Sequence, residues 1–130
     1  MQPLNVFFDV DHTILLSTAD GGWHLRPGLR EVLQSVKDMG HVIYLWTASG
    51  KLHAQRVAEA YGLNDLVTDC FDKDGNNWLL PDLVVDDDWF LVEKYSGVLV
   101  SQYREVNPQD RELYLLLDYL KDGRLPLAGP

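Results

Sequence analysis

Acidic and hydroxyl side chains recur in this chain at spacings that suit metal-assisted chemistry. Asp9, Asp11 and Thr13 alternate directly after the apolar run Leu4 to Phe8, Thr47 and Ser49 follow a run ending at Trp46, and Asp86, Asp87 and Asp88 follow Leu83 to Val85. Carboxylates brought within a few ångströms of one another cannot all stay ionised unless a cation neutralises them. An all-oxygen donor set is what a hard divalent ion takes, so Mg²⁺ is the expected occupant. Held by two or three carboxylates, such an ion keeps positions open for water and a phosphate oxygen, and the chemistry expected is phosphoryl transfer. Asp9 and Asp11 fall on the same side of a continuing strand, one a residue further out. One could attack phosphorus while the other donates a proton to the leaving oxygen. Thr47, with Ala48 and Ser49 behind it, offers a hydroxyl and the backbone N–H groups of a following helix to a transferring phosphoryl group. A lysine is also required to offset the remaining oxygen charge, and Lys51 and Lys73 are the candidates.

The elements that would position these groups follow from apolar patterning. Leu4 to Phe8 lacks helical periodicity and reads as a buried central strand ending at Asp9. Ile14 to Ser17 and Trp23 to Arg26 flank Asp20-Gly21-Gly22 and predict a small hairpin. Arg26-Pro27-Gly28 opens a helix through Leu29, Val32, Leu33, Val36 and Met39 that stops at Gly40. His41 to Trp46 is a second strand, Lys51 to Tyr61 a second helix, Leu66 to Phe71 a third strand, Leu83 to Val85 a fourth and Gly97 to Val100 a last one. Asn107-Pro108 is expected to cap a final helix striped by Leu113, Leu116, Leu117 and Leu120. Strands alternating with helices imply right-handed crossovers, hence a small doubly wound, Rossmann-like α/β sandwich with a parallel sheet covered on both faces. Ligands in such sheets bind beyond the carboxyl ends of the strands, where the polar residues above are placed.

Bulk properties bound the rest. The 130 residues, 46% hydrophobic, suit one domain, expected over residues 1–124 with a loose Pro/Gly-rich tail at 125–130. Twenty Asp and Glu against eleven Lys and Arg give a net charge of -9, which disfavours nucleic acid as a partner. The single cysteine, Cys70, cannot form an internal disulfide, and the first residues lack a basic segment before their apolar run. With no apolar stretch long enough for a membrane span, a cytoplasmic protein without a membrane partner is expected.

The motifs closely resemble those of the haloacid dehalogenase-like (HAD) superfamily of phosphohydrolases. Its Asp-x-Asp-x-Thr motif after a hydrophobic strand is present as Phe8-Asp9-Val10-Asp11-His12-Thr13, its second motif as Leu45-Trp46-Thr47-Ala48-Ser49 and its acidic motif as Val84-Val85-Asp86-Asp87. Arg26-Pro27-Gly28 and the Trp46-Thr47-Ala48-Ser49 segment look more specifically like the capless phosphatases typified by the FCP/SCP enzymes, or like magnesium-dependent phosphatases. The resemblance implies a Mg²⁺-dependent phosphatase in which Asp9 forms an aspartyl-phosphate, Asp11 acts as acid and then base, and Thr47 binds the phosphoryl group. It further implies Asp86 as a ligand beside Asp9, Asp87 as the second choice in its run, a carbonyl ligand from Asp11, and Lys73 rather than Lys51 as the phosphate-binding lysine. Fewer than forty residues separate the second and acidic motifs, which leaves no room for a lid domain. An open site would be covered by a large substrate such as a phosphoprotein, or, for a small phosphomonoester, by a second copy in a homo-oligomer.

Simpler readings stand beside these. Any one acidic strand end is most simply a helix cap; the coincidence of three on one edge is what points to a site. His12 is expected as a loop residue, Trp46 and Cys70 as core, Trp23 as a candidate substrate contact, and Asp88 as a surface residue. His24, His41 and His53 have no zinc-ligand spacing. Two other classes share the composition. A receiver-type phosphoacceptor domain has a different chain order, since Thr47 here precedes the later acids, and a catalytically weak HAD-fold scaffold would bind no magnesium.

Overall fold

The computed structural model describes residues 2–74 and 77–122. The chain runs β1 (Asn5–Asp9), β2 (Leu15–Ser17), β3 (Trp23–Leu25), α1 (Leu29–Asp38), β4 (Val42–Thr47), α2 (Lys51–Ala60), β5 (Asp69–Asp72), β6 (Leu83–Asp86), α3 (Trp89–Tyr95), β7 (Gly97–Leu99) and α4 (Leu115–Asp122), with a 3₁₀ turn at Glu112–Tyr114. Five strands form one parallel sheet in the order β5-β4-β1-β6-β7, and β2 and β3 form the expected antiparallel hairpin. The architecture is the predicted Rossmann-like α/β sheet flanked by helices.

Strand order explains where the helices go. From β1 the chain steps outward through β4 to β5 on one side, and later through β6 to β7 on the other. Right-handed connections therefore place α1 and α2 on one face and α3 on the opposite face. The first face is the larger core: Val6, Phe8, Ile43, Leu45, Val85 and Val98 of the sheet pack against Leu29, Val32, Leu33 and Val36 of α1, Ala54, Val57 and Ala58 of α2, and Leu116, Leu117 and Leu120 of α4. The second face carries an aromatic cluster of Phe7, Tyr44, Trp46 and Phe71, with Val84 and Val92. Phe7 lies 5.0 Å from both Tyr44 and Trp46, ring centroid to ring centroid. Among the described residues the short α3 and the segment around Leu79 pack against it, so this face is covered less fully than the first and its core is built largely from rings.

Four local expectations change. The final helix starts later than Asn107-Pro108, because Asn107 Oδ1 accepts from Gln109 N in a local turn and Asp110 is drawn onto Arg26. Helix α3 is an element the sequence pattern does not show; its cap is Asp88, exposed as expected, whose Oδ1 accepts from Phe90 N at 2.9 Å. Leu66 and Val67 belong to a turn before β5, each donating its N–H to Leu63 O. His41 precedes β4, and its Nδ1 accepts from Leu4 N at 3.0 Å. The tail at 125–130 lies outside the described residues.

Two features lock the site-bearing end. Gly97 has φ +143°, and a Cβ there would stand 1.9 Å from Val84 O, so β7 can pair closely with β6 only with glycine at this point. Arg26 is buried, with Nε and Nη2 on the Asp110 carboxylate at 2.8 and 3.0 Å and Nη1 on the carbonyls of Thr13 and Ser101. A guanidinium so placed ties the loop after β1 to the segment after β7, with Asp110 lying 84 residues from Arg26 in sequence.

Candidate active site

The order of the strands reverses between β1 and β6, and the crevice past their carboxyl ends is where such a sheet binds ligands. Asp9 ends β1 and Asp86 ends β6, so parallel pairing alone brings their carboxylates to that crevice. Asp87 follows Asp86, and one carboxylate oxygen from each of Asp9, Asp86 and Asp87 lies within 4.8 Å of the others. This buried group could hold a metal ion. Lys73, which follows β5, reaches across β4 to place Nζ 2.7 Å from Asp9 Oδ1 and 2.8 Å from Asp86 Oδ2. Lys51 instead opens α2, its N–H bonded to Asp72 Oδ1, so this helix amide is already occupied.

The cluster's charge is visible in its proton affinities. Burial lifts Asp9 to about 6 despite the opposing pull of Lys73 and Thr13, whose Oγ1 donates to Asp9 Oδ2 at 2.7 Å. Burial and the neighbouring Asp9 lift Asp86 to about 8, again against Lys73. Burial works against the charge on Lys73, but the two carboxylates outweigh it and raise its affinity for a proton. Asp87 is lowered: burial is outweighed by hydrogen bonds shared with Asp86 and Asp9 and by Gln102 Nε2, 3.0 Å from its Oδ2. Without a cation, the Lys73 ammonium and the raised proton affinities of Asp9 and Asp86 offset the crowded charge, and oxygen donors of this kind fit a hard divalent ion.

A stability prediction follows with a definite sign. Carboxylates whose affinity is raised on folding stabilise the folded chain while protonated, and that stabilisation is lost as pH rises through about 6 and then about 8. In chelator the melting temperature should fall by about 5–10 °C between about pH 5 and pH 8.5. A divalent cation should restore it at the alkaline end, and Asp86→Asn should flatten the slope. A wild-type profile that is flat in chelator would contradict the assignment of these protons.

Asp11 stands apart from the cluster. Its carboxylate points to the β4–α2 corner, where Oδ2 accepts from Thr47 Oγ1 at 3.1 Å and Ser49 Oγ at 2.9 Å, and Oδ1 lies 3.0 Å from His53 Nε2. Burial would raise its proton affinity, but the hydrogen bonds from His53 and Ser49 hold it below the ordinary value. Thr47 is itself oriented by Ser49 N, which donates to its Oγ1 at 3.0 Å. His12, between Asp11 and Thr13, has φ +65°, and its carbonyl accepts from Tyr103 N. This kink turns the loop so that Asp9 and Asp11 face different partners.

The expected site residues therefore divide into two adjoining groups. Asp9, Asp86, Asp87 and Lys73 form one, and Asp11, Thr47 and Ser49 form the other, with Ala48 bordering an open depression it shares with Asp72, Lys73 and Asp74. Sequence reasoning missed His53, which sits in the first turn of α2 and touches a residue 42 positions away. Trp46 and Cys70 are core, and burial pushes the Cys70 thiol up to about 11, which makes it unreactive. Trp23 meets His53 edge-on with ring centroids 5.7 Å apart. What fold and site define is a class: a Rossmann-like α/β protein with a buried carboxylate cluster at the switch point of its sheet. No family model matches the chain, and no curated protein matches it. Among the described residues no helix is long and apolar enough to cross a membrane.

Proposed function

We propose that this chain is a Mg²⁺-dependent phosphatase of the HAD type, cleaving phosphomonoesters through an aspartyl-phosphate on Asp9. The observation that carries this reading is the contrast between two carboxylates two residues apart. Asp9 is buried against an ammonium and two further acids, whereas Asp11 is held by hydroxyl donors and an imidazole. Neighbouring acids with different surroundings are suited to different roles.

In the first step an Asp9 oxygen bonds to phosphorus and the phosphorus–ester oxygen bond breaks. Its electron pair stays on the leaving oxygen, which takes a proton from Asp11; the carboxyl gains that proton from solvent once the phosphoryl group takes over the Thr47 and Ser49 hydroxyls that hold it ionised. In the second, water bonds to phosphorus and gives a proton to Asp11, the bond to Asp9 breaks, and orthophosphate leaves. Thr47 and Ser49 present hydroxyl donors to the phosphoryl oxygens, and Lys73, 2.7 Å from Asp9 Oδ1, adds positive charge. Mg²⁺ bound by Asp9, Asp86 and Asp87 would offset the charge of the carboxylates and of the entering phosphate. The hairpin β2–β3 between β1 and α1 is too small to serve as a lid, so substrates range from small phosphomonoesters to phosphoproteins.

The test is a panel of an aryl phosphate, a sugar phosphate, a nucleotide and a phosphopeptide, each with and without Mg²⁺. Orthophosphate release from at least one, abolished by chelator and restored by Mg²⁺, is the expected result. Absence of release from all four would remove the phosphatase reading and leave a binding module on the same fold.

A further inference from the structure

Both oxygens of the Asp11 carboxylate are held, but by partners of different kinds. Oδ2 accepts from the hydroxyls of Thr47 and Ser49, the donors that an entering phosphoryl group would claim. Oδ1 faces His53 Nε2 at 3.0 Å. His53 extends from α2, a ten-residue helix anchored in the core by Ala54, Val57 and Ala58. Its ring stands edge-on to Trp23, which in turn stacks on Tyr61, so the imidazole is braced by aromatic side chains. A phosphoryl group that takes over Thr47 and Ser49 frees Oδ2 and leaves His53 as the contact that still orients the carboxylate.

We propose that His53 is the positioning residue for Asp11: its Nε2–H keeps Oδ1 in place when substrate claims Thr47 and Ser49, and so directs Oδ2, carrying the proton, at the leaving oxygen. This rests on the phosphatase reading above, in which Asp9 bonds to phosphorus as the ester bond breaks and Asp11 protonates the departing oxygen. A carboxyl group free to rotate would present its proton in the wrong direction for much of the time, and misplacement on this scale costs about 10–100-fold in rate.

Leaving-group dependence isolates this role. An alkoxide needs a proton as it departs, whereas 2,4-dinitrophenolate leaves without one, and kcat/KM reports only the steps up to its departure. His53→Phe keeps an aromatic ring against Trp23 and removes the N–H, whereas His53→Gln keeps an N–H donor at similar reach. With an alkyl phosphate, His53→Phe should lower kcat/KM by about 10–100-fold, with 2,4-dinitrophenyl phosphate by less than about threefold, and His53→Gln should stay near wild type on both. His53→Asn, whose amide stops short of Asp11, gives the same contrast if the Phe variant unfolds. Equal losses on the two esters, no loss on either, or a Gln variant as poor as the Phe variant would overturn the role of His53 while leaving the phosphatase reading intact. That reading fails separately, and this inference with it, if the unaltered chain hydrolyses neither ester or if Asp9→Asn hydrolyses both as well as wild type.

Discussion

Asp9→Asn should reduce turnover of an aryl phosphate by about 10⁴-fold or more while leaving a folded chain. The amide has the shape of the carboxylate and can still accept from Thr13 Oγ1, so the buried end of β1 need not rearrange. What it lacks is the charge that makes an oxygen nucleophilic towards phosphorus. The same change also removes one of the charges that disfavour ionisation of Asp86, whose proton affinity is raised by burial and then by Asp9. In chelator at alkaline pH the variant should therefore melt no lower than wild type, and the Lys73 ammonium still has Asp86 as its partner at 2.8 Å. Loss of activity combined with unchanged or improved stability separates a nucleophile from a structural aspartate, whose replacement would lower both. Undiminished hydrolysis by Asp9→Asn, measured with the aryl phosphate in saturating Mg²⁺, would remove Asp9 from the chemistry and with it the proposed intermediate.

The parts of this site that could be read in the sequence are those fixed by short-range pattern and strand parity. An apolar run followed by an acid places Asp9 at the end of β1 and Asp86 at the end of β6, and alternation with helices makes the strands parallel, so their ends must share an edge. Lys73 follows because it lies just beyond β5 on that edge. Long-range partners are a different matter. His53 occupies an exposed-looking position in an amphipathic helix, and nothing in its local spacing indicates that it lies 3.0 Å from Asp11. Arg26 likewise reads as an ordinary charged residue before a helix, but its partner is Asp110, and pulling Asp110 inward is what delays the final helix beyond Asn107. Helix α3 escaped because seven residues carry too few turns for a periodic signal, and its cap, Asp88, is the third of three consecutive acids with different roles. Asp86 faces the buried cluster, Asp87 its rim and Asp88 the helix terminus.

The acid excess of the chain acquires a local meaning from this division. Three of the twenty Asp and Glu residues converge on one crevice, where Lys73 supplies their nearest positive charge. Most of the -9 charge lies elsewhere and disfavours polyanions, but under the proposed function a phosphate entering the crevice would meet the Lys73 ammonium, the hydroxyls of Thr47 and Ser49 and a cation bound by the acids.

Lys73→Met should damage stability and turnover together. Methionine keeps an apolar stem of similar length beside Trp46, whose ring lies 5.7 Å from the ammonium, so packing is largely preserved and the loss is one of charge. Removing one partner from a buried ionic group costs about 3–5 kcal/mol, because the carboxylates left behind are neither solvated nor compensated. Here that cost depends on pH with a known sign. Asp9 and Asp86 already bind protons more tightly than usual in the presence of the lysine, and without it their affinities must rise further, so protonation relieves the penalty at low pH and fails to do so at high pH. In chelator the variant should melt close to wild type near pH 5 and well below it near pH 8, a divergence of about 10 °C or more. Mg²⁺ should narrow this gap without restoring turnover, which is expected to stay about 10³-fold down because the transferring phosphoryl oxygens lose a positive charge that the metal-binding carboxylates do not replace. A variant that melts in parallel with wild type across the pH range, or that turns over normally once Mg²⁺ is added, would show that Lys73 is not the counter-charge of the cluster and would return the phosphate-binding role to Lys51.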